Sequence, residues 1–181
     1  MFQKLLLVLV SLVFVQSADE NLIEWNASRK LTWSDFKGTP NPSSTNAALT
    51  NSSITVEFGY NNKGLTHSIK CRFNKSLSWV RVKNDYILKH EQGHFDIAEI
   101  HARLLHRALL QYTFNSQTVG DDVNKIYGSV MEQHVQMQKS YDLQTNHSLD
   151  STQQKVWNNK IASKLDEYEK YADYRTGKSE Q

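Results

Sequence analysis

Residues 90–94 read His-Glu-Gln-Gly-His, two imidazoles around a carboxylate in the spacing His-Glu-x-x-His. An α-helix turns 100° per residue, so His90 and His94 stand one turn apart on the same face. Neutral imidazole nitrogens at that spacing can meet one zinc ion at roughly 2.0–2.1 Å. Glu91 stands beside that face. Zinc lowers the pKa of a bound water toward about 7, and a neighbouring carboxylate can take its proton and later deliver it to a leaving amine. The expectation is hydrolysis, with His90 and His94 as zinc ligands and Glu91 as general base.

A catalytic zinc also needs a third protein ligand and an open fourth position. His101 shares the face of His94, but seven residues rise about 10 Å and no Gly or Pro lies between them to break the helix. His101 and His106 are therefore expected to be packing or surface residues. Asp96 and Glu99 are turned off the ligand face and are expected to be structural groups or partners that orient a ligand. The third ligand must come from later in the chain. Residues 141–147, Tyr-Asp-Leu-Gln-Thr-Asn-His, offer Asp142 and His147 in a connection between two helices. Glu132 and His134 are the fallback. Spacing alone does not choose among them.

The elements that must position these groups are legible in the periodicity. Ile54, Val56, Phe58 and Tyr60 alternate with other residues, residues 61–64 (Asn-Asn-Lys-Gly) supply a turn, and Leu65, His67, Ile69, Cys71 and Phe73 alternate again. That pattern predicts a β-hairpin, with a third strand at residues 78–82. A helix is predicted from the cap at Asn84 or Asp85 to about Tyr112, a second from Asp121 or Asp122 to about Ser140, and a third from the capping residues at 150–154 toward Tyr174. Residues 19–53 hold both prolines and read as extended or irregular chain, pinned by Leu31, Trp33 and Phe36. The order predicts an α+β fold, a small antiparallel sheet followed by a helical region, in a single domain over 19–181.

The first residues are set apart. Lys4 precedes an uncharged apolar run at residues 5–15, followed by small residues at a cleavage position. This predicts a cleavable signal peptide over residues 1–18 and a secreted or periplasmic protein. Eleven residues in helix reach roughly 16 Å, about half a bilayer core, so no stable membrane span is expected. Cys71 is the only cysteine, which excludes an internal disulfide, and its strand position predicts a buried small hydrophobe. A net charge of only +2, without a long basic run, points away from nucleic acid.

Three separated stretches carry a resemblance: LTWSDFKGTPN (31–41), HEQGHFDIAEIHAR (90–103) and YDLQTNHSLDSTQQKVWNNKI (141–161). Together the chain resembles a bacterial family of predicted secreted zinc-dependent proteases, domain of unknown function 922. The resemblance implies a zincin-like peptidase domain, zinc on His90 and His94, and Glu91 as base. The family's Tyr-Asp-x-x-Thr-x-His motif matches Tyr141, Asp142, Thr145 and His147, which implies His147 as third ligand, with Ser148 where the family often has Gly. Tyr141 is a candidate to stabilise the oxyanion. The expected partner is a peptide or protein substrate. The alternative expectation is a non-catalytic zinc-binding module of the cell envelope.

Overall fold

The computed structural model describes residues 20–174 and 177–178. The expected leader at 1–18 lies outside the described residues. The described chain is α+β. Strand β1 (Leu22–Glu24) leads into a 3-10 turn (Trp33–Asp35), followed by β2 (Ala48–Leu49), the hairpin β3 (Ser52–Asn61) and β4 (Gly64–Asn74), and β5 (Trp79–Val80). Helices α1 (Asp85–Leu110), α2 (Val119–Gln144) and α3 (Ser151–Glu167) come next, then a second 3-10 turn (Glu169–Tyr171) and a short strand β6 (Gly177–Lys178).

The hairpin forms in the register the alternation demands, from Ser52 opposite Phe73 to Asn61 opposite Gly64. Gly64 takes φ 109° at the turn, a conformation that costs an L side chain dearly. On the other edge of β4, β1 pairs antiparallel near its end and β6 near its start. The expected third strand at residues 78–82 is shorter and joins elsewhere. Trp79–Val80 pairs with Ala48–Leu49 in a separate two-stranded ladder, so the stretch expected to be irregular supplies its partner. Short two-residue ladders leave too little alternation for a sequence to reveal.

The buried face of β4 (Leu65, His67, Ile69, Cys71 and Phe73) packs on α1, with Phe95, Ala98, Ala102, Leu105 and Leu109 opposite. Cys71 is buried and free, as its strand position predicts. Leu31 and Phe36 are buried anchors of the N-terminal chain, and Trp33 packs against the same core. Across α1, Ile97 and Ile100 meet Tyr141 of α2 and Trp157 and Ile161 of α3. Helix α1 is therefore enclosed by sheet and helices, and a side chain on it is held in place from several directions. Asn84 caps it, its side chain accepting from Ile87 N–H as expected. Helix α2 begins and ends a few residues outside its expected bounds, and α3 stops at Glu167, where a 3-10 turn takes over. Among the described residues, no helix is long and apolar enough to cross a membrane.

Candidate metal centre

One turn of α1 and the end of α2 create the site. His90 and His94 project from successive turns, and Asp142 arrives from α2. His90 Nε2 and His94 Nε2 are 3.2 Å apart, and Asp142 Oδ1 lies 3.1 Å from the first and 3.0 Å from the second. The α2 chain approaches this closely because residue 93 is glycine. A Cβ there would sit 2.3 Å from the Tyr141 hydroxyl oxygen. Tyr141, fully buried, fills that space and stacks on the His90 ring at 4.5 Å.

Hydrogen-bond logic fixes both imidazole tautomers. The Tyr141 hydroxyl donates to the His90 carbonyl, which can only accept. Its remaining lone pair accepts from Gln154 Nε2, which also donates to Asn158 Oδ1. The amide of Gln154 is thereby oriented, and its Oε1 faces His90 Nδ1 at 2.8 Å, so His90 Nδ1 carries the hydrogen. On the other side Gln138 Nε2 donates to the His94 carbonyl, and Gln138 Oε1 accepts from His94 Nδ1–H at 2.6 Å. The same Nε2 donates to His134 Nε2. With both Nδ1 hydrogens committed, both Nε2 atoms present lone pairs. Three electron-rich atoms thus converge at 3.0–3.2 Å, an arrangement that only a cation or protons between them can hold.

These donors fit zinc. Arms of roughly 2.0–2.1 Å in a tetrahedron give an edge of roughly 3.3 Å, close to all three separations. His90, His94 and Asp142 form the group of donors in the described residues that could hold a metal ion. When no cation sits between them, hydrogens on the two Nε2 atoms must bridge to Asp142: burial alone would raise its carboxyl, but hydrogen bonds from His90 and His94 and the charge of their protonated rings overcome it and hold the group well below the usual carboxylate range. His94 is likewise pushed down by burial, and Asp142 and Glu91 more than offset that and raise it.

Glu91 is buried, and its Oε2 has no hydrogen-bond partner. It lines an open cleft of about 720 Å³ together with His90, His94, Asp142 and His147. The chain through β2 also lines the cleft and is tied to α1, Thr50 Oγ1 donating to the Glu91 carbonyl. Glu91 thus sets a carboxylate in the cleft wall, with one oxygen shielded from solvent and without a protein partner, a group that can take a water or substrate proton.

The other expected residues are placed as follows. His147 stands beside the triangle rather than in it, exposed, with Nδ1 3.8 Å from Asp142 Oδ1. Tyr141 lies beneath His90 with its hydroxyl donating and accepting inside the protein, away from an oxyanion. Its phenol is pushed up by burial. Asp96 accepts from Trp25 Nε1 and Gln92 Nε2, and Glu99 accepts from Arg103 and Tyr174, so both serve the packing of α1. His101 and His106 are buried packing residues, bonded to the carbonyls of Ile97 and Tyr171. His134, the fallback ligand, reaches Gln138, and Glu132 is exposed.

Sequence reasoning missed Gln138 and Gln154. A signal existed for Gln154: it shares the helical stripe of Trp157 and Ile161, and an amide at 1% exposure on a buried stripe calls for a polar partner. Gln138 sits on the same face of α2 as Asp142, one turn before it, but nothing in the letters separates it from an exposed glutamine.

A family model described as "Bacterial protein of unknown function (DUF922)" matches residues 19–148. The chain belongs to that family. No curated protein and no solved structure matches it.

Proposed function

We propose that this member of the DUF922 family is a zinc-dependent peptidase, exported by its N-terminal leader and acting outside the cytoplasm. One observation carries it: two imidazole nitrogens and a carboxylate oxygen converge at 3.0–3.2 Å in a cleft that is also lined by a buried carboxylate, Glu91, one of whose oxygens has no protein partner.

His90, His94 and Asp142 would hold the ion. Bound there, zinc would polarise a carbonyl and lower the pKa of a water. Its two positive charges would balance the carboxylates of Asp142 and Glu91, which otherwise lie together in a poorly solvated site. Gln154 and Gln138 keep both ligand rings in the tautomer that binds metal, the task usually given to partners behind the ligands. Glu91 takes a proton from the attacking water, whose oxygen bonds to the scissile carbonyl carbon. As the C–N bond breaks, Glu91 returns that proton to the departing nitrogen, leaving an amine and a carboxylate product. The cleft wall at residues 45–52 includes the short strand β2, extended chain of the kind beside which an extended peptide can lie.

Two histidines and a carboxylate also suit ferrous iron. The unpartnered carboxylate one residue after a ligand favours hydrolysis, because it supplies the base that water attack requires. Glu91→Gln tests this directly. The variant is expected to bind zinc as the parent does and to lose cleavage of a peptide library by at least about 100-fold. Undiminished cleavage by Glu91→Gln excludes this mechanism. Stoichiometric zinc without turnover by the parent favours the non-catalytic envelope module instead.

A further inference from the structure

The connection from α2 to α3 is built at a cost. Asn146, His147 and Ser148 take φ of 48°, 49° and 71°, three successive left-handed residues without a glycine. A left-handed residue costs an L side chain roughly 1–2 kcal/mol, and Asn and His tolerate the region better than most. A helix commonly leaves this way with one glycine. The strain is held by backbone bonds that turn the chain over the end of α2, His147 N–H to Asp142 carbonyl at 2.8 Å and Asp150 N–H to Thr145 carbonyl at 2.9 Å. Ser148 is tucked in, while His147 and Leu149 are left exposed at 59% and 79%. The exposed side chains gain no burial that would offset the backbone strain. What the turn achieves is placement: it sets an imidazole on the rim of the cleft that contains Glu91 and the three converging donors.

We infer that His147 is a catalytic residue that touches substrate, donating an N–H hydrogen bond to the scissile carbonyl oxygen, and is not a ligand of the metal. This role rests on the peptidase function proposed above. Asp142 Oδ1 already completes the triangle with the two Nε2 atoms, and a hydrolytic site leaves the remaining position to water and substrate. His147 Nδ1, 3.8 Å from that oxygen, is outside hydrogen-bond reach of it yet lines the same cleft, where it is free to donate to a carbonyl oxygen as that oxygen gains negative charge. The strained turn fixes the backbone from which the ring projects, so the side chain stands on the cleft rim before the substrate arrives. Donors held in this way act on the charge that appears as water adds and disappears as the C–N bond breaks. They therefore affect kcat more than KM.

The test uses the full exported chain with zinc and three variants, His147→Ala, His147→Gln and Asp142→Ala. Zinc stoichiometry and affinity are read by competition with a chromophoric chelator, and kcat and KM on a fluorogenic peptide that the parent cleaves. His147→Ala is expected to hold zinc within about twofold of the parent while kcat falls on the order of 100- to 1,000-fold. His147→Gln, which keeps an N–H donor, is expected to recover part of that loss. Asp142→Ala is expected to lose zinc. A phosphonamidate version of the same peptide, carrying the tetrahedral oxygens, is expected to bind His147→Ala more weakly by a similar factor. Loss of zinc from His147→Ala overturns the proposal by making His147 a ligand, and unchanged kcat overturns it outright. A zinc-loaded parent that cleaves no peptide refutes the peptidase function, and the role of His147 falls with it. Parent turnover with an unaffected His147→Ala refutes only the role of His147.

Discussion

Gly93→Ala is the sharpest probe of how the site is built. In an exposed helix interior this change stabilises by roughly 1 kcal/mol, because glycine gives up the most backbone freedom on folding. Here the added Cβ would stand 2.3 Å from the Tyr141 hydroxyl oxygen and 2.8 Å from its ring carbon Cζ. Tyr141 cannot yield easily, since it is fully buried between the His90 ring and Trp157. Overpacking of a filled core costs roughly 1–3 kcal/mol, and contacts this short belong at the upper end. Displacing the ring also breaks the Tyr141 bond to the His90 carbonyl and the Gln154 bond to Tyr141, at about 1 kcal/mol each. Subtracting the helix gain leaves a net loss of about 4 kcal/mol. At a urea dependence of about 2 kcal/mol per molar, the unfolding midpoint of metal-free protein should fall by about 2 M. Tyr141→Phe in the same chain removes the closest atom and should recover part of the deficit, so the two substitutions should couple in a double-mutant cycle. A Gly93→Ala protein as stable as the parent, or more stable, refutes the close approach of α2 to α1 that forms the site.

Other consequences follow from the same geometry. Gln154→Leu keeps the volume but leaves His90 Nδ1–H without its acceptor; zinc affinity in chelator competition should drop about 10- to 100-fold, and an unchanged affinity would deny the glutamine its orienting role. His67 gives a pH dependence. Burial, and next the neighbouring His106, lower it from 6.5 to about 4, and both its ring nitrogens lack partners. Between pH 6.5 and 4 the unfolded chain therefore binds a proton that the folded chain refuses. Its stabilising share is complete above 6.5 and is lost as pH falls toward 4, by about 2 kcal/mol after allowance for residual solvation. Urea melts of metal-free His67→Phe should show a shallower loss of stability over that range, and an equal loss would show that His67 is not among the groups responsible.

The hairpin and the three helices were legible because each is long enough for its period to repeat. The alternation from Leu65 to Phe73 marked the buried face of β4, whereas on β3 only Ile54 is buried and Phe58 and Tyr60 are exposed; the caps at Asn84 and Asp150 marked where α1 and α3 begin. The pairing of Ala48–Leu49 with Trp79–Val80 was not legible, since two residues carry no period and the partners are separated by the whole hairpin. In the site, the placing of His90, Glu91 and His94 on one helix follows from spacing alone. What completes the triangle depends on how α2 ends. Asp142 lies in the last turn of α2 and projects toward α1, whereas His147 is the middle one of three left-handed residues that follow the helix. No local pattern announces that backbone path. The two glutamines were hidden for a related reason: their function comes from contacts made 44 and 64 residues away along the chain.

Metal content is the most direct measure of whether these residues form a zinc centre. Protein purified without a histidine tag should carry one zinc per chain by elemental analysis, and His90→Ala, His94→Ala and Asp142→Ala should each lose it while Glu91→Gln retains it. A parent free of metal when zinc is supplied, one loaded with iron instead, or zinc that persists in the ligand variants would contradict it.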